Sequence, residues 1–405
     1  MTTNDGTAPG AARLLTNGTI HSTAEPYAEA MLVEDGQVAW LGSDETAARL
    51  REQREPGTIQ EEDLDRALVA PGFVGWITRG IAEGDPGDLA ERLDAVAALG
   101  YSAVRLGLAV PADRLAGESV QMLASGLTSS FRTAAGHPLD TYPVVQLSGL
   151  QDVAGASGLK ALNELLSLLG ENEDIQEAAG RPIAVAVSYA EVEENLIGVR
   201  TWMSEESRQL ILDVSEADPA DVVDAIVGTH SQLRELRRTP KPDTPTVLVG
   251  FDSPHREHWE QLLNTGIHVL ARRPIHLATA LSVGVPTCAA PPEGESPWQL
   301  ISDHVHHGTD PASVRAGFTA QTRGAYRSLV GGQPESGLLN PASAATYVVW
   351  EVESLAVQTP NATVSAWSTD TRARTPLLPY LPEPGAEEGS LPRWKETVIH
   401  GEPVS

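Results

Sequence analysis

The sequence predicts an α/β protein, a (β/α)8 TIM-like barrel carrying a small sheet domain, on three observations. Eight short apolar runs recur from Leu68 onward, helix-length amphipathic segments separate them, and strand signals stand before the first run and after the last. At roughly 100 to 200 residues per domain, a chain of 405 residues has room for one large barrel with an appendage.

Ahead of the barrel, Leu14-Leu15-Thr16 and Thr19-Ile20 flank Asn17-Gly18, and Met31-Leu32-Val33 and Gln37-Val38-Ala39-Trp40 flank Asp35-Gly36. Asn-Gly and Asp-Gly between apolar runs are hairpin signals, so residues 1 to about 66 read as a small antiparallel sheet. The eight runs are Leu68 to Val74, Ala103 to Leu108, Tyr142 to Leu147, Ile183 to Val187, Leu210 to Val214, Thr246 to Phe251, Ile267 to Ala271 and Pro286 to Ala289. Asp88 to Leu99, Gly158 to Leu169, Pro219 to Leu236 and Pro254 to Leu263 are long enough to cross back as helices, and eight such units predict a closed barrel. A last amphipathic segment, Pro311 to Leu329, precedes strand signals at Thr346 to Trp350 and Thr397 to Ile399, placed to pair with the N-terminal hairpins. Between them, Thr371 to Pro392 is rich in Pro, Gly and Glu and reads as a loop.

Composition narrows the function classes. With 41% hydrophobic and 20% charged residues and no apolar run near the roughly 20 residues of a bilayer span, the chain is expected to be globular and not to insert into a membrane. Met1 to Ala12 lacks a basic start and an apolar stretch, which makes the cytoplasm the expected compartment. A single cysteine, Cys288, excludes an internal disulfide framework and a Cys-cluster zinc site. The net charge of −27 repels phosphate backbones and anionic membranes, so neither nucleic acid nor membrane is an expected partner. No GxxxxGK[ST] phosphate loop precedes Lys160, Lys241 or Lys395, and no Gly-x-Ser-x-Gly elbow is present.

Three segments resemble the amidohydrolase superfamily, nearest to its N-substituted formamide deformylase-like branch. They are Leu14 to Ile20 with Ala28 to Ser43, then Leu68-Val69-Ala70-Pro71-Gly72-Phe73-Val74, and Gly337-Leu338-Leu339-Asn340-Pro341 with Ala345 to Trp350 and Gly401 to Val404. The resemblance implies a barrel over 68–335 and a composite β-sandwich from 1–67 and 336–405. It also implies one or two divalent ions, usually zinc, at the barrel mouth, first held by two histidines two apart after Pro-Gly-Phe-Val. The matching positions here are Ile77 and Arg79, and Gly75 stands where the family has an acidic residue. A fixed +1 charge opposes a dication by about 8 kcal/mol at ~4 Å and an effective dielectric of ~20. The other ligand positions fall in Ile183 to Ser188, Ile211 to Glu216, Val247 to Asp252 and Thr287 to Pro292, and none carries the family's ligand. No metal cofactor and no catalytic set are therefore expected.

Other groups were weighed for chemistry. Asp303-His304-Val305-His306-His307 is the densest imidazole cluster and reads as a polar helix end; its rival reading is a relocated metal site. His255 and His258 follow Ser253-Pro254 and read as a solvated helix start, His230 as a surface or boundary histidine, and Cys288 as a small buried thiol. Asp213, Glu216 and Asp252 stand at strand ends and, with Arg79, are the expected ligand-binding residues at the mouth, against the alternative of a structural ion-pair network. The expectation is an amidohydrolase-like protein without metal-dependent hydrolysis, acting in binding, scaffolding or regulation on a small molecule, as a homodimer or beside a partner protein. Its alternative is a hydrolase of non-peptide C–N bonds with a non-standard site.

Overall fold

A computed structural model describes residues 12–81, 86–115, 119–149, 156–333, 335–359, 375–386 and 389–404. Residues 1–11 and, within the Thr371 to Pro392 stretch, 371–374 and 387–388 lie outside the described residues. Four strands open the chain, β1 (Ala12–Thr16), β2 (Thr19–Ile20), β3 (Ala30–Glu34) and β4 (Gln37–Gly42), followed by helix α1 (Asp44–Gln53), β5 (Ile59–Asp63) and β6 (Leu68–Pro71). The Asp35-Gly36 hairpin joins β3 to β4, with both residues at positive φ (50° and 73°), as a two-residue turn between antiparallel strands requires.

Asn17-Gly18 does something else. Strand β1 lies between β3 and β5 in one sheet, whereas β2 pairs in parallel with β6 in another, so this dipeptide carries the chain across the sandwich and closes no hairpin. Hydrogen bonds from the Asn17 amide to Asp44 and from its side chain to Asp63 hold the crossing, and long-range pairing overrides the local turn signal. Because β1 also runs parallel to β5, the first sheet is mixed, not antiparallel.

The barrel strands are β7 (Phe73–Gly80), β8 (Tyr101–Pro111), β9 (Asp140–Ser148), β10 (Ala184–Ser188), β11 (Leu210–Asp213), β12 (Thr246–Val249), β13 (Ile267–Ala271) and β14 (Thr287–Ala289). Around them stand α2 (Pro86–Ala97), α3 (Ser119–Ala135), α4 (Ala156–Glu171), α5 (Glu173–Ala179), α6 (Tyr189–Val192), α7 (Leu196–Glu205), α8 (Pro219–Leu236), α9 (Arg256–Leu262), α10 (Leu277–Val283) and α11 (Pro297–Val305). The run expected from Leu68 to Val74 divides: Leu68–Pro71 joins the terminal sheet and the barrel begins at Phe73. At the corner, Gly72 passes so near Ser102 that a Cβ would lie 2.2 Å from its Oγ.

Ladder bonds join each neighbour from β7 to β14 in parallel, and one shared core takes side chains from all eight strands, including Val74, Ala103, Val144, Ala186, Ile211, Val247, Leu270 and Cys288. Among the described residues no ladder joins β14 back to β7. The expected helix Pro311 to Leu329 breaks at Thr322 into α12 (Val314–Gln321) and α13 (Arg323–Arg327), so that Ala325, Tyr326 and Leu329 enter this interior. Tyr326 Oη meets Ser102 Oγ at 2.9 Å, and Ser328 accepts from Arg105 and Gln209, which fixes α13 at the end where the strands start.

The chain then returns through β15 (Tyr347–Glu351), the short β16 (Leu355–Ala356) and β17 (Leu378–Pro379), β18 (Arg393–Ile399) and β19 (Glu402–Pro403). Strand β15 lies between β6 and β18, and its alternation serves two cores. Tyr347 and Val349 face the sandwich with Leu15, Met31 and Val398; Val348 and Trp350 face the barrel's helical layer. There Phe73 is packed edge-on by Trp298 (5.3 Å), Phe318 (5.6 Å) and Trp350 (5.9 Å). Among the described residues no helix is long and apolar enough to cross a membrane. Removing a fully buried aromatic ring from such a cluster costs about 3–5 kcal/mol. Phe73→Ala is therefore expected to lower the urea midpoint by that loss of stability while Tyr380→Ala, whose ring is 49% exposed, leaves it nearly unchanged.

Candidate functional site

Which side chains reach the barrel mouth is decided in β7. Both faces of this strand are buried, and its pairing with β8 slips by one residue between Phe73 and Val74. Phe73 turns outward into the aromatic cluster, and Val74, Trp76 and Thr78 then point inward, with Trp76 Nε1 donating to Thr78 Oγ1 at 2.9 Å. Ile77 belongs to the outer core with its register partner Leu106. Arg79, opposite Leu108, shares that outward face, so the expected placement of Ile77 and Arg79 inside the mouth is corrected: strand alternation puts both against the helical layer.

The inward cations are different ones. The Arg272 guanidinium stands 5.5 Å from the centre of the Trp76 ring, and Arg105 stands 5.7 Å from it, so one indole lies against two arginines. Arg272 follows β13 at the same inward parity as Leu270. Partial burial lowers its pKa, and Asp213, Glu293 and Glu295 act in the opposite sense. Among the described residues it makes no ion pair and no hydrogen bond, since Glu293 is committed to Arg92 by contacts of 2.9 and 2.5 Å.

Between the ends of β10, β11 and β13 opens a cleft of about 610 Å³. Arg272 and Arg273 line it together with Glu193, Asp213, Glu216, Asp218 and Asp221. Asp213 and Glu216, both expected at the mouth, are thus brought together. Asp213 Oδ1 is held by Ser215, accepting from its amide at 3.0 Å and its hydroxyl at 2.5 Å. That turn requires glycine at the end of β12, because Gly250 sits at φ +78° and a Cβ there would lie 2.3 Å from Ser215 Oγ. Asp252 is not part of the cleft: its carboxylate accepts from the His276 amide at 2.8 Å and faces His276 Nδ1 at 3.0 Å, pinning the β13–α10 loop. Trp76, Glu193, Asp221, Arg272 and Arg273 escaped sequence reasoning. The usable signal was the parity of β13, where 268, 270 and 272 alternate inward.

The histidines that were weighed as metal ligands have other partners. His304 is 1% exposed, with Nδ1 donating to Leu300 O at 2.8 Å and Nε2 accepting from the Ile275 amide at 3.3 Å. His306 Nε2 meets Leu381 O and His307 Nδ1 accepts from the Asp310 amide, so each ring fastens a loop. His258 Nδ1 pairs with Ser253 Oγ at 2.8 Å. Cys288 is buried, its thiol pushed up by burial and facing Ser328 Oγ. Among the described residues no three His, Cys, Asp or Glu side chains converge as a metal site.

Burial lowers the pKa of His304 to about 4 from 6.5, and that of the inward-facing His268 likewise to about 4. A depressed histidine stabilises the fold above its unfolded value, and the contribution is lost as pH falls from 6.5 toward 4, by up to about 1.4 kcal/mol per pH unit for each ring. Stability measured by urea titration is expected to decline over that window, and His304→Gln is expected to flatten the decline even though it lowers stability at pH 7.

No protein-family model matches the sequence, and no curated protein matches it significantly. Solved structures do match in fold. An amidohydrolase from an environmental sample of the Sargasso Sea aligns at a TM-score of 0.63 and 13% identity, over 97% of this chain and 93% of that one. An adenosine deaminase from Xanthomonas campestris with bound zinc aligns at 0.62 and 13% identity, over 96% and 92%. An N-isopropylammelide isopropylaminohydrolase from Burkholderia multivorans aligns at 0.60 and 14% identity, over 97% and 98%. At such identities the likeness concerns the fold and singles out no branch, the formamide deformylases included. Eight parallel strands with their helices, flanked by sheets from both chain ends, make this the fold of the amidohydrolases.

Proposed function

We propose that this chain uses the amidohydrolase fold to bind a small molecule at the barrel mouth and has no metal-dependent hydrolytic centre. The observation that supports the reading is Arg272, a guanidinium resting on the inward indole of Trp76. Thr78 and Ser188 offer hydroxyls, Asp213 a carboxylate already engaged by Ser215, and β14 ends in Ala289 and Ala290. Zinc in proteins takes three or four strong nitrogen, oxygen or sulfur ligands, and this donor set does not fit it. The cation adds repulsion: a dication ~6 Å from a guanidinium is opposed by about 5 kcal/mol at an effective dielectric of ~20. Binding, scaffolding or regulation then follows from an open cleft whose size falls in the range of small-molecule sites.

Elemental analysis of the purified protein, after growth with added zinc, manganese and iron, is expected to find substoichiometric metal. A panel of amides, formamides, aminated heterocycles and cyclic imides is expected to give no turnover above the uncatalysed rate. One equivalent of zinc, or turnover abolished by Asp213→Ala, overturns the proposal and establishes the C–N hydrolase with a non-standard site.

A further inference from the structure

Opposite charges that line one cleft ordinarily close on each other, because an ion pair recovers part of what each charge loses on leaving water. Here they do not. Arg272 makes no ion pair with any described residue, and Glu193, Glu216 and Asp221 make none either, although all four line the same cleft of about 610 Å³. The fold itself keeps them apart. Arg272 follows the end of β13 and stands over the Trp76 ring, 5.5 Å from its centre. Glu193 belongs to the short 3-10 turn Glu193–Asn195, Glu216 to the β11–α8 turn, and Asp221 to the first turn of α8, whose cap is Asp218 accepting from Ala220 N. The other two carboxylates are already spent, Asp213 on Ser215 and Asp218 on that cap.

Each pole lacks its counter-charge and suits one functional group. A planar guanidinium with open N–H groups presents the fork that a carboxylate fills with two parallel hydrogen bonds. Its charge stands over the Trp76 indole, 5.5 Å from the ring centre, a contact made before any ligand arrives. The three carboxylates of the same cleft that make no ion pair among the described residues suit a primary ammonium, whose three donors need three acceptors. A ligand with only a carboxylate meets Arg272 and is repelled by the acids; one with only an amine leaves the guanidinium unanswered. From these unpaired opposite charges in one cleft we propose that the mouth binds a zwitterionic amino-carboxylate, its carboxylate on Arg272 and its ammonium against Glu193, Glu216 and Asp221. The inference rests on the reading of the mouth as a metal-free binding site.

Calorimetry and thermal shift of the full chain against the standard α-amino acids and γ-aminobutyrate test it, since ligands with dissociation constants on the order of 1 mM remain visible. At least one zwitterion is expected to bind, with a tenfold or greater loss of affinity both for its N-acetyl derivative and for its methyl ester. Arg272→Gln is expected to abolish binding, and Glu216→Gln, on the exposed wall, to weaken it with no change in melting temperature of the free protein. The comparison of derivatives uses the unaltered chain, so it stands even where Arg272→Gln fails to fold. Absence of binding by every zwitterion, or a derivative lacking one charge binding as tightly as its parent, overturns the inference. Metal analysis and turnover on the same sample separate the two failures: substoichiometric metal and no turnover with no zwitterion bound sinks only the ligand class, whereas stoichiometric zinc sinks the underlying reading.

Discussion

Trp76 lies against two guanidiniums inside the barrel, and most of what distinguishes this mouth follows from that contact. An indole offers a cation a face rich in electron density, a favourable environment where few anions are present. Arg105, 1% exposed, has no carboxylate partner among the described residues; it meets Ser328 and the Trp76 ring. Arg272 stands over the same ring and lines the cleft, and among the described residues it makes no salt bridge. The inward direction of Trp76 is in turn a consequence of packing elsewhere. Phe73 lies outward among Trp298, Phe318 and Trp350, and regular alternation along β7 then turns Val74 and Trp76 inward, while the one-residue slip of the ladder falls on β8.

How far the sequence could be read depended on whether a segment has one buried face or two. Strands such as Leu210–Asp213 and Ile267–Ala271, and the helix Pro219–Leu236, were legible because apolar runs and amphipathic periodicity are local signals. In β7 the residues from Phe73 to Ile77 are all buried, so alternation carries no information about which of them face in, and Ile77 and Arg79 were placed inward by resemblance alone. Asn17-Gly18 had the composition of a hairpin turn and lacked the partner strand, a fact fixed only by β6 and β5 much later in the chain. Asp213 and Glu216 were found by their position after an apolar run. Arg272 occupies the same kind of position after β13 and was legible by the same rule, while Asp252 obeyed the rule and was captured by His276.

The cleft and the opposite end of the barrel have divided roles. Helix α13 and Leu329 fill the interior where the strands begin, joined to Ser102, Arg105 and Gln209 by hydrogen bonds. The mouth carries charged side chains in turns, which alter ligand preference at little cost to the core.

Strand β6 has its antiparallel neighbour in β15, which the ribosome delivers only after all eight barrel strands have been made. During synthesis the early segment therefore waits with one edge unsatisfied, and the barrel must acquire enough order on its own to outlast translation before the clasp between the two chain ends closes.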